Sequence, residues 1–260
     1  MSENNNPKVG LFVTCLVDLF RPNVGFSAVE LLEAAGCDVD VPRAQTCCGQ
    51  PAYNSGDKAD TKEMAKQVLD AFSDFDFVVA PSGSCAAMIK KHYPEVFEDE
   101  PEMQAKFKAL SEKTYELVSF LTDVMFQPSV EAEFEGVVTY HDSCSGLREL
   151  GVEAQPRKLL NTVAGLELVE MNEADVCCGF GGTFCVKYSD ISNSIVEKKI
   201  ENALASGADT LVAGDMGCLM NMAGKLKRQG SPVKVRHVAE VLADRANGPA
   251  IGEAKGTKGP

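Results

Sequence analysis

The sequence predicts an α/β protein of two pseudo-symmetric halves, each a small, mostly parallel sheet flanked by helices, with a four-cysteine cluster site at the strand carboxyl ends. Three observations predict it. Short apolar strands alternate with amphipathic helices, an order that pairs strands in parallel through helical crossovers. The tripeptide Cys-Cys-Gly occurs twice, at 47–49 and 177–179. Each copy has a lone cysteine upstream and downstream, and Cys15/Cys144, Cys47/Cys177, Cys48/Cys178 and Cys85/Cys218 are 129, 130, 130 and 133 residues apart. The reading divides the chain into a first domain over 1–130, a second over 131–246 and a disordered tail over 247–260.

Each element follows from its local pattern. Val9–Thr14 is an apolar, β-branched run that reads as a buried strand ending at Cys15. Phe26–Ala35 has helical spacing and stops at Gly36. Asp38–Val41 is a brief strand before the first Cys-Cys-Gly. Asp57–Phe72 sets Met64, Ala65, Val68, Leu69 and Phe72 on one helical face, and Phe75–Ala80 is a strand running into Cys85. The acidic stretch Pro94–Pro101 reads as a solvated excursion, Glu102–Phe126 as helix with a break near Ser111, and Gln127–Glu135 as the domain boundary. The order then restarts: strand Val137–Tyr140 before Cys144, helix Arg157–Val163, strand Leu166–Val169 before the second Cys-Cys-Gly, helix Asp190–Ala205, and strand Thr210–Ala213 before Cys218. A last strand, Val233–Val235, precedes helix His237–Arg245.

Composition narrows the function classes. At 260 residues, 45% of them hydrophobic, the chain can bury a proper core. A formal charge of -13 argues against nucleic acid and against an anionic membrane surface, both of which attract basic patches. The polar start, Met1–Lys8, lacks the apolar run of a signal peptide, so the ten cysteines read as metal or redox chemistry in the reducing cytoplasm rather than as a disulfide framework. No apolar stretch approaches the roughly 18 to 20 residues that cross a bilayer, which predicts no direct membrane insertion.

The cysteines are expected to converge. In an open parallel sheet, ligands bind beyond the strand carboxyl ends, where Cys15, Cys47, Cys48 and Cys85 fall in the first half and Cys144, Cys177, Cys178 and Cys218 in the second. Vicinal cysteines are poorly spaced for a mutual disulfide, whose Cα atoms prefer to lie roughly 5.5 Å apart. They also chelate a single ion poorly, since structural zinc sites separate their cysteines by about two to four residues. A cluster with several irons offers separate atoms to adjacent thiolates, so iron–sulfur is the better match and structural zinc the rival. Glycines at 49, 83, 179, 181, 182 and 217 would let the backbone approach such a group.

Six segments carry a family resemblance: Gln45–Pro51, Pro81–Cys85, Tyr115–Leu117, His141–Cys144, Cys177–Phe184 and Gly217–Leu219. Through them the chain resembles the cysteine-rich Cys-Cys-Gly domain family, which includes the B subunit of heterodisulfide reductase, with a closer likeness to its bacterial lactate-oxidation branch. The resemblance implies a cytoplasmic iron–sulfur oxidoreductase subunit, inactive alone, with one 4Fe-4S or non-cubane cluster per half. It implies partners as well: other subunits of a lactate-oxidation complex, including a ferredoxin-like iron–sulfur protein, and a small 2-hydroxy acid, L-lactate, oxidised to pyruvate. The chain departs from the pattern where Ser82 and Asp215 replace the first cysteine of a Cys-x-x-Cys, where Ser145 replaces a common histidine, and where Cys185 replaces a serine. Asp215 and Cys185 are thereby candidate substitute ligands.

Two other readings stay open: a cluster-based thiol–disulfide reductase subunit, and a non-enzymatic scaffold stabilised by zinc. Cys37, without a counterpart, reads as a small core residue. His141 reads equally as a site residue or as a hydrogen-bonded structural histidine, and His92 and His237 as surface or capping residues. Phe180–Thr183 does not give the dinucleotide-binding spacing, and no phosphate-binding Walker sequence is present.

Overall fold

The computed structural model describes residues 6–253. The first half runs β1 (Lys8–Leu11), α1 (Cys15–Phe20), α2 (Pro22–Ala34), β2 (Asp38–Asp40), α3 (Gln50–Asn54), α4 (Lys58–Phe72), β3 (Phe77–Ala80), α5 (Gly83–Ala87), α6 (Tyr93–Val96), α7 (Pro101–Glu112), β4 (Thr114–Glu116) and α8 (Leu117–Ser119). The second runs β5 (Glu133–His141), α9 (Cys144–Leu150), α10 (Ala154–Leu160), β6 (Ala164–Leu168), α11 (Phe184–Lys187), α12 (Ser189–Ala205), β7 (Thr210–Ala213), α13 (Met216–Arg228), β8 (Lys234–His237) and α14 (Val238–Leu242).

The strands pair in two four-stranded sheets of the same order, β2-β1-β3-β4 and β6-β5-β7-β8. Every pairing is parallel, with Gly10 beside Val78 in the first sheet and Tyr140 beside Val212 in the second. Central strands buried on both faces read as continuous apolar runs, and Val78, Val79, Leu211 and Val212 are fully buried. The long helices repeat as well. Asp57 caps α4 by accepting from the Asp60 amide at 3.1 Å, and α4 buries Thr61, Ala65, Val68 and Phe72. Ser192, Val196, Lys199 and Ala203 lie 131 residues later in α12 and are also buried.

One core runs through both halves, taking in Val9, Leu11 and Val24 with Val138, Leu211 and Val238. Helices α5 and α9 cross where the halves meet, and a Cβ on Gly83 would lie 2.8 Å from the Gly146 Cα. At the same seam a ring nitrogen of buried His237 lies 3.1 Å from the Pro81 carbonyl, and the buried Glu240 carboxylate accepts from Arg21 Nε at 2.8 Å.

Several expectations are corrected. Glu102–Phe126 does break near Ser111, but the break is a strand, β4, which the reading does not assign; three residues are too few to show a period, and only pairing with β3 makes them a strand. The Pro94–Pro101 stretch is anchored, with Val96 and Phe97 buried and Phe97 stacked on Phe107 at 4.3 Å between ring centroids. Strand β5 already begins at Glu133, inside the stretch read as a boundary. The tail reading fails over 247–253: the Ile251 amide donates to the Val235 carbonyl at 2.9 Å, Arg236 donates to the Gly248 and Pro249 carbonyls, and Ala250 and Ile251 are buried. Residues 254–260 lie outside the described residues. Among the described residues no helix is long and apolar enough to cross a membrane.

Candidate metal centre

The strand order reverses beside β1 in one sheet and beside β5 in the other, and the crevice beyond those carboxyl ends collects the cysteines. Each lone cysteine sits in the first turn of a helix that the sequence reading leaves unassigned. Cys15 opens α1 and Cys144 opens α9, where Thr14 Oγ1 accepts from the Val17 amide at 3.4 Å and Ser143 Oγ from the Gly146 amide at 3.3 Å. Cys85 and Cys218 lie in α5 and α13, where Ser82 Oγ accepts from the Cys85 amide at 3.3 Å and an Asp215 carboxylate oxygen from the Gly217 amide at 3.1 Å. All four N-caps are of the types that satisfy exposed helix amides. Thr14 adopts a φ of 75°, a left-handed conformation that is costly for a β-branched residue.

The vicinal pairs are split between partners. Cys47 Sγ lies 3.8 Å from Cys15 Sγ, while Cys48 Sγ lies 3.5 Å from Cys85 Sγ. The second half repeats this, Cys177 against Cys144 and Cys178 against Cys218. The Gly49 and Gly179 amides donate to the Cys47 and Cys177 sulfurs at 3.4 and 3.3 Å. Hydrogen bonding from the Cys15 and Cys144 thiols, then from the neighbouring Cys48 and Cys178, pulls Cys47 and Cys177 far below the ordinary thiol range, so each quartet has one ready thiolate. Gly179 combines a φ of 80° with a close approach, since a Cβ there would lie 2.8 Å from the Ser192 carbonyl oxygen. The carbonyl after each pair is also held, that of Cys48 by the Tyr93 hydroxyl at 2.8 Å and that of Cys178 by Asn221 Nδ2 at 2.9 Å.

Each quartet lines its own cavity, about 210 Å³ for Cys15, Cys47, Cys48 and Cys85 and about 190 Å³ for Cys144, Cys177, Cys178 and Cys218. The cavities adjoin, and Gln50, Ser84, Phe180, Gly182 and Asp215 line both. All ten cysteines are free thiols.

The comparisons with known proteins agree with the internal repeat. The model of the CCG cysteine-rich domain matches twice, over residues 9–90 and 138–223. Lactate utilization protein A of a Geobacillus species is 54% identical over 238 residues, 92% of this chain and all of that protein. Its namesakes in Macrococcus caseolyticus and Bacillus cytotoxicus are 52% and 47% identical, over 90% and 92% of this chain and 96% and 100% of theirs. The chain belongs to the lactate utilization protein A family of CCG-domain proteins. The fold is shared with a hypothetical protein from Helicobacter pylori, at a TM-score of 0.65 and 14% identity, over 96% of this chain and 51% of that one.

Against the family pattern, both candidate substitutes are otherwise engaged. Asp215 gives one carboxylate oxygen to Gly217 and the other to Ser82 Oγ and the Ser84 amide, each at 3.0 Å, so the two positions lacking a cysteine bond to each other across the seam. The Cys185 thiol donates to the Gly182 carbonyl at 3.3 Å and lines neither cavity. Two of the expected backbone approaches serve packing instead, since Gly83 meets Gly146 and Gly217 makes room for the Phe180 ring. Cys37 is a buried core residue, its thiol pushed up to about 11 by burial. His92 is a partly exposed residue beside Glu95 and Glu149, and His237 caps α14 although it is fully buried.

His141 is not the hydrogen-bonded structural residue that one reading expected. It is fully buried, and neither ring nitrogen has a partner among the described residues. Its ring donor atom, Cys178 Sγ and Cys218 Sγ all lie within 4.8 Å of one another. Burial, and then the Lys199 ammonium, push the imidazole down to about 3, so it is neutral. Lys199 is itself buried, donating to the Glu173 and Ala174 carbonyls. Sequence reasoning missed Lys199, Tyr93 and Asn221 as supports of the site; a lysine on the buried face of a helical pattern was the one available signal.

The donor set fits a multi-metal group. Eight thiols divide four and four between two cavities, and each adjacent pair faces two different neighbours rather than one point.

Proposed function

We propose that the chain is a cytoplasmic iron–sulfur electron-transfer subunit of a multi-subunit oxidoreductase that oxidises L-lactate to pyruvate. The observation that carries this is the pair of adjoining four-thiol cavities with split vicinal cysteines. Cys15, Cys47, Cys48 and Cys85 would hold one cluster, and Cys144, Cys177, Cys178 and Cys218 the other. When bound, such clusters supply one-electron transfer, which side chains alone lack. Curated relatives that this chain spans nearly end to end are named lactate utilization protein A, which supports lactate as the substrate.

The chain's own residues prepare the sites. Hydrogen bonds from the Gly49 and Gly179 amides favour the thiolate forms of Cys47 and Cys177, the forms that bind metal. Phe180 and the Ser82–Asp215 bond form the shared wall that keeps two neighbouring groups separate. A net charge of -13 suits docking to partner subunits with basic faces, a ferredoxin-like iron–sulfur protein among them.

The test is iron, acid-labile sulfide and zinc content of protein purified without oxygen, with its visible spectrum. Iron and sulfide in comparable amounts, in a brown sample that bleaches with dithionite, is the expected result. Stoichiometric zinc in a colourless sample would replace the reading by the zinc-stabilised scaffold. Lactate-dependent bleaching in the presence of partner subunits then checks the substrate, and bleaching reversed only by a disulfide would favour the thiol–disulfide reductase.

A further inference from the structure

The two sites differ in one potential donor. Cys15 and Cys144 are matching residues, so the residue three places before each also matches, and these are Phe12 and His141. Phe12 is fully buried and packs its ring 5.7 Å from that of Phe72. His141 is equally buried, yet neither of its nitrogens has a hydrogen-bond partner among the described residues. An unmet buried polar atom costs about 1 to 3 kcal/mol, so its persistence calls for a partner that the protein alone does not provide. One ring nitrogen lies within 4.8 Å of the sulfurs of Cys178 and Cys218.

We propose that His141 is a fifth donor of the second site, its ring nitrogen binding a metal atom of the group held by Cys144, Cys177, Cys178 and Cys218, while the first site binds through thiolates alone. The inference rests on the reading of the quartets as metal sites. A neutral imidazole carries one lone pair and one N–H, and a ligating histidine ordinarily gives its other N–H to a carbonyl or carboxylate. The Ala174 carbonyl stands beside the ring in that place, short of hydrogen-bond geometry here. Lys199 donates to the same carbonyl at 3.2 Å. Its position matches Val68 of the first half, 131 residues earlier, so at this place only the half that has the histidine carries a polar side chain.

Pulsed electron paramagnetic resonance on anaerobically purified full-length protein, with and without ¹⁵N-histidine, tests the proposal, with iron and sulfide measured on the same samples. The expected result is a strongly coupled nitrogen that responds to the label, persists in Cys48→Ala, and is lost in His141→Phe and in the smaller-change variant His141→Asn. Iron at the second site of either histidine variant should be stripped by a chelator at least tenfold faster than in the unaltered protein. A full complement of iron and sulfide without a strongly coupled histidine nitrogen would overturn this inference and leave the electron-transfer reading standing. If zinc is the bound metal, electron transfer fails, and X-ray absorption then decides: a nitrogen in the zinc shell that disappears in His141→Asn sustains His141 as a ligand, and an all-sulfur shell removes it. Protein that binds neither metal would refute both.

Discussion

In the first half, Phe12 and Val68 pack in the same apolar cluster as Cys48 and Cys85; in the second, His141 and Lys199 occupy the matching places near Cys178. The thiol frame is common to both because it follows from strand order and helix caps, which the repeat preserves. What lies behind the frame is free to differ, since each site needs only that its supports be satisfied. At the matching positions of Val68 and Lys199 the first half relies on apolar burial and the second on hydrogen bonds, so the sites should respond differently to a change there.

The largest effect expected is loss of one site without the other. Cys178→Ala should remove the metal of the second half and Cys48→Ala that of the first, each leaving about half of the total iron by direct assay. Unchanged iron in Cys178→Ala would count against the assignment of the second quartet. Next, Lys199→Met should remove one hydrogen bond from each of the Glu173 and Ala174 carbonyls, which keep the Val176 and Asp142 amides as donors. At about 1.5 kcal/mol for each lost bond from the charged ammonium, the apoprotein should lose about 3 kcal/mol in urea unfolding. A loss near zero would show that the polar support of the second half is passive.

The caps after the last strand of each sheet sharpen the contrast through pH. Glu116 ends β4, and burial pushes its carboxyl up from 4.5 to about 7. The folded chain then keeps a proton that the unfolded chain has released, so stability falls as pH rises from about 4.5 to about 7. The difference amounts to roughly 3 kcal/mol at pH 8, and Glu116→Gln should flatten that slope in chemical denaturation. His237 ends β8 and is shifted down by burial, so its contribution has the opposite sign, present above its ordinary value near 6.5 and lost as pH falls.

The helix crossings at the seam differ too. Gly83 and Gly146 bring α5 and α9 into backbone contact, whereas the matching positions carry Met216 and Val17, both buried. Gly83→Ala should therefore cost about 1 to 3 kcal/mol by overpacking, read as a lower thermal midpoint. The smallest effect expected is Tyr93→Phe, which removes one bond to the Cys48 carbonyl and should cost about 1 kcal/mol while leaving the second site's metal in place.

Much of this was legible in the residues. The strand and helix alternation, the repeat of the two Cys-Cys-Gly units and the position of every quartet member after a strand are local or periodic signals. Thr14, Ser82, Ser143 and Asp215 are of the types that cap helices, yet the sequence reading assigns no helix after them; those opened by Thr14, Ser82 and Ser143 are too short to show a period, whereas the 13 residues of α13 are not. The Ser82–Asp215 bond and the engagement of Cys185 with Gly182 were not legible, because they join residues whose proximity depends on packing.

By itself the sequence determined the α/β class, the two halves and the eight cysteines brought to the strand ends, since hydrophobic period and strand–cysteine adjacency are properties of neighbouring residues. The tertiary structure alone decided that the two cavities share a wall, that β4 and residues 247–253 belong to the packed fold, and that His141 lies beside the second quartet without a hydrogen-bond partner among the described residues. Each depends on contacts between segments far apart in the chain, which only burial of a common core fixes.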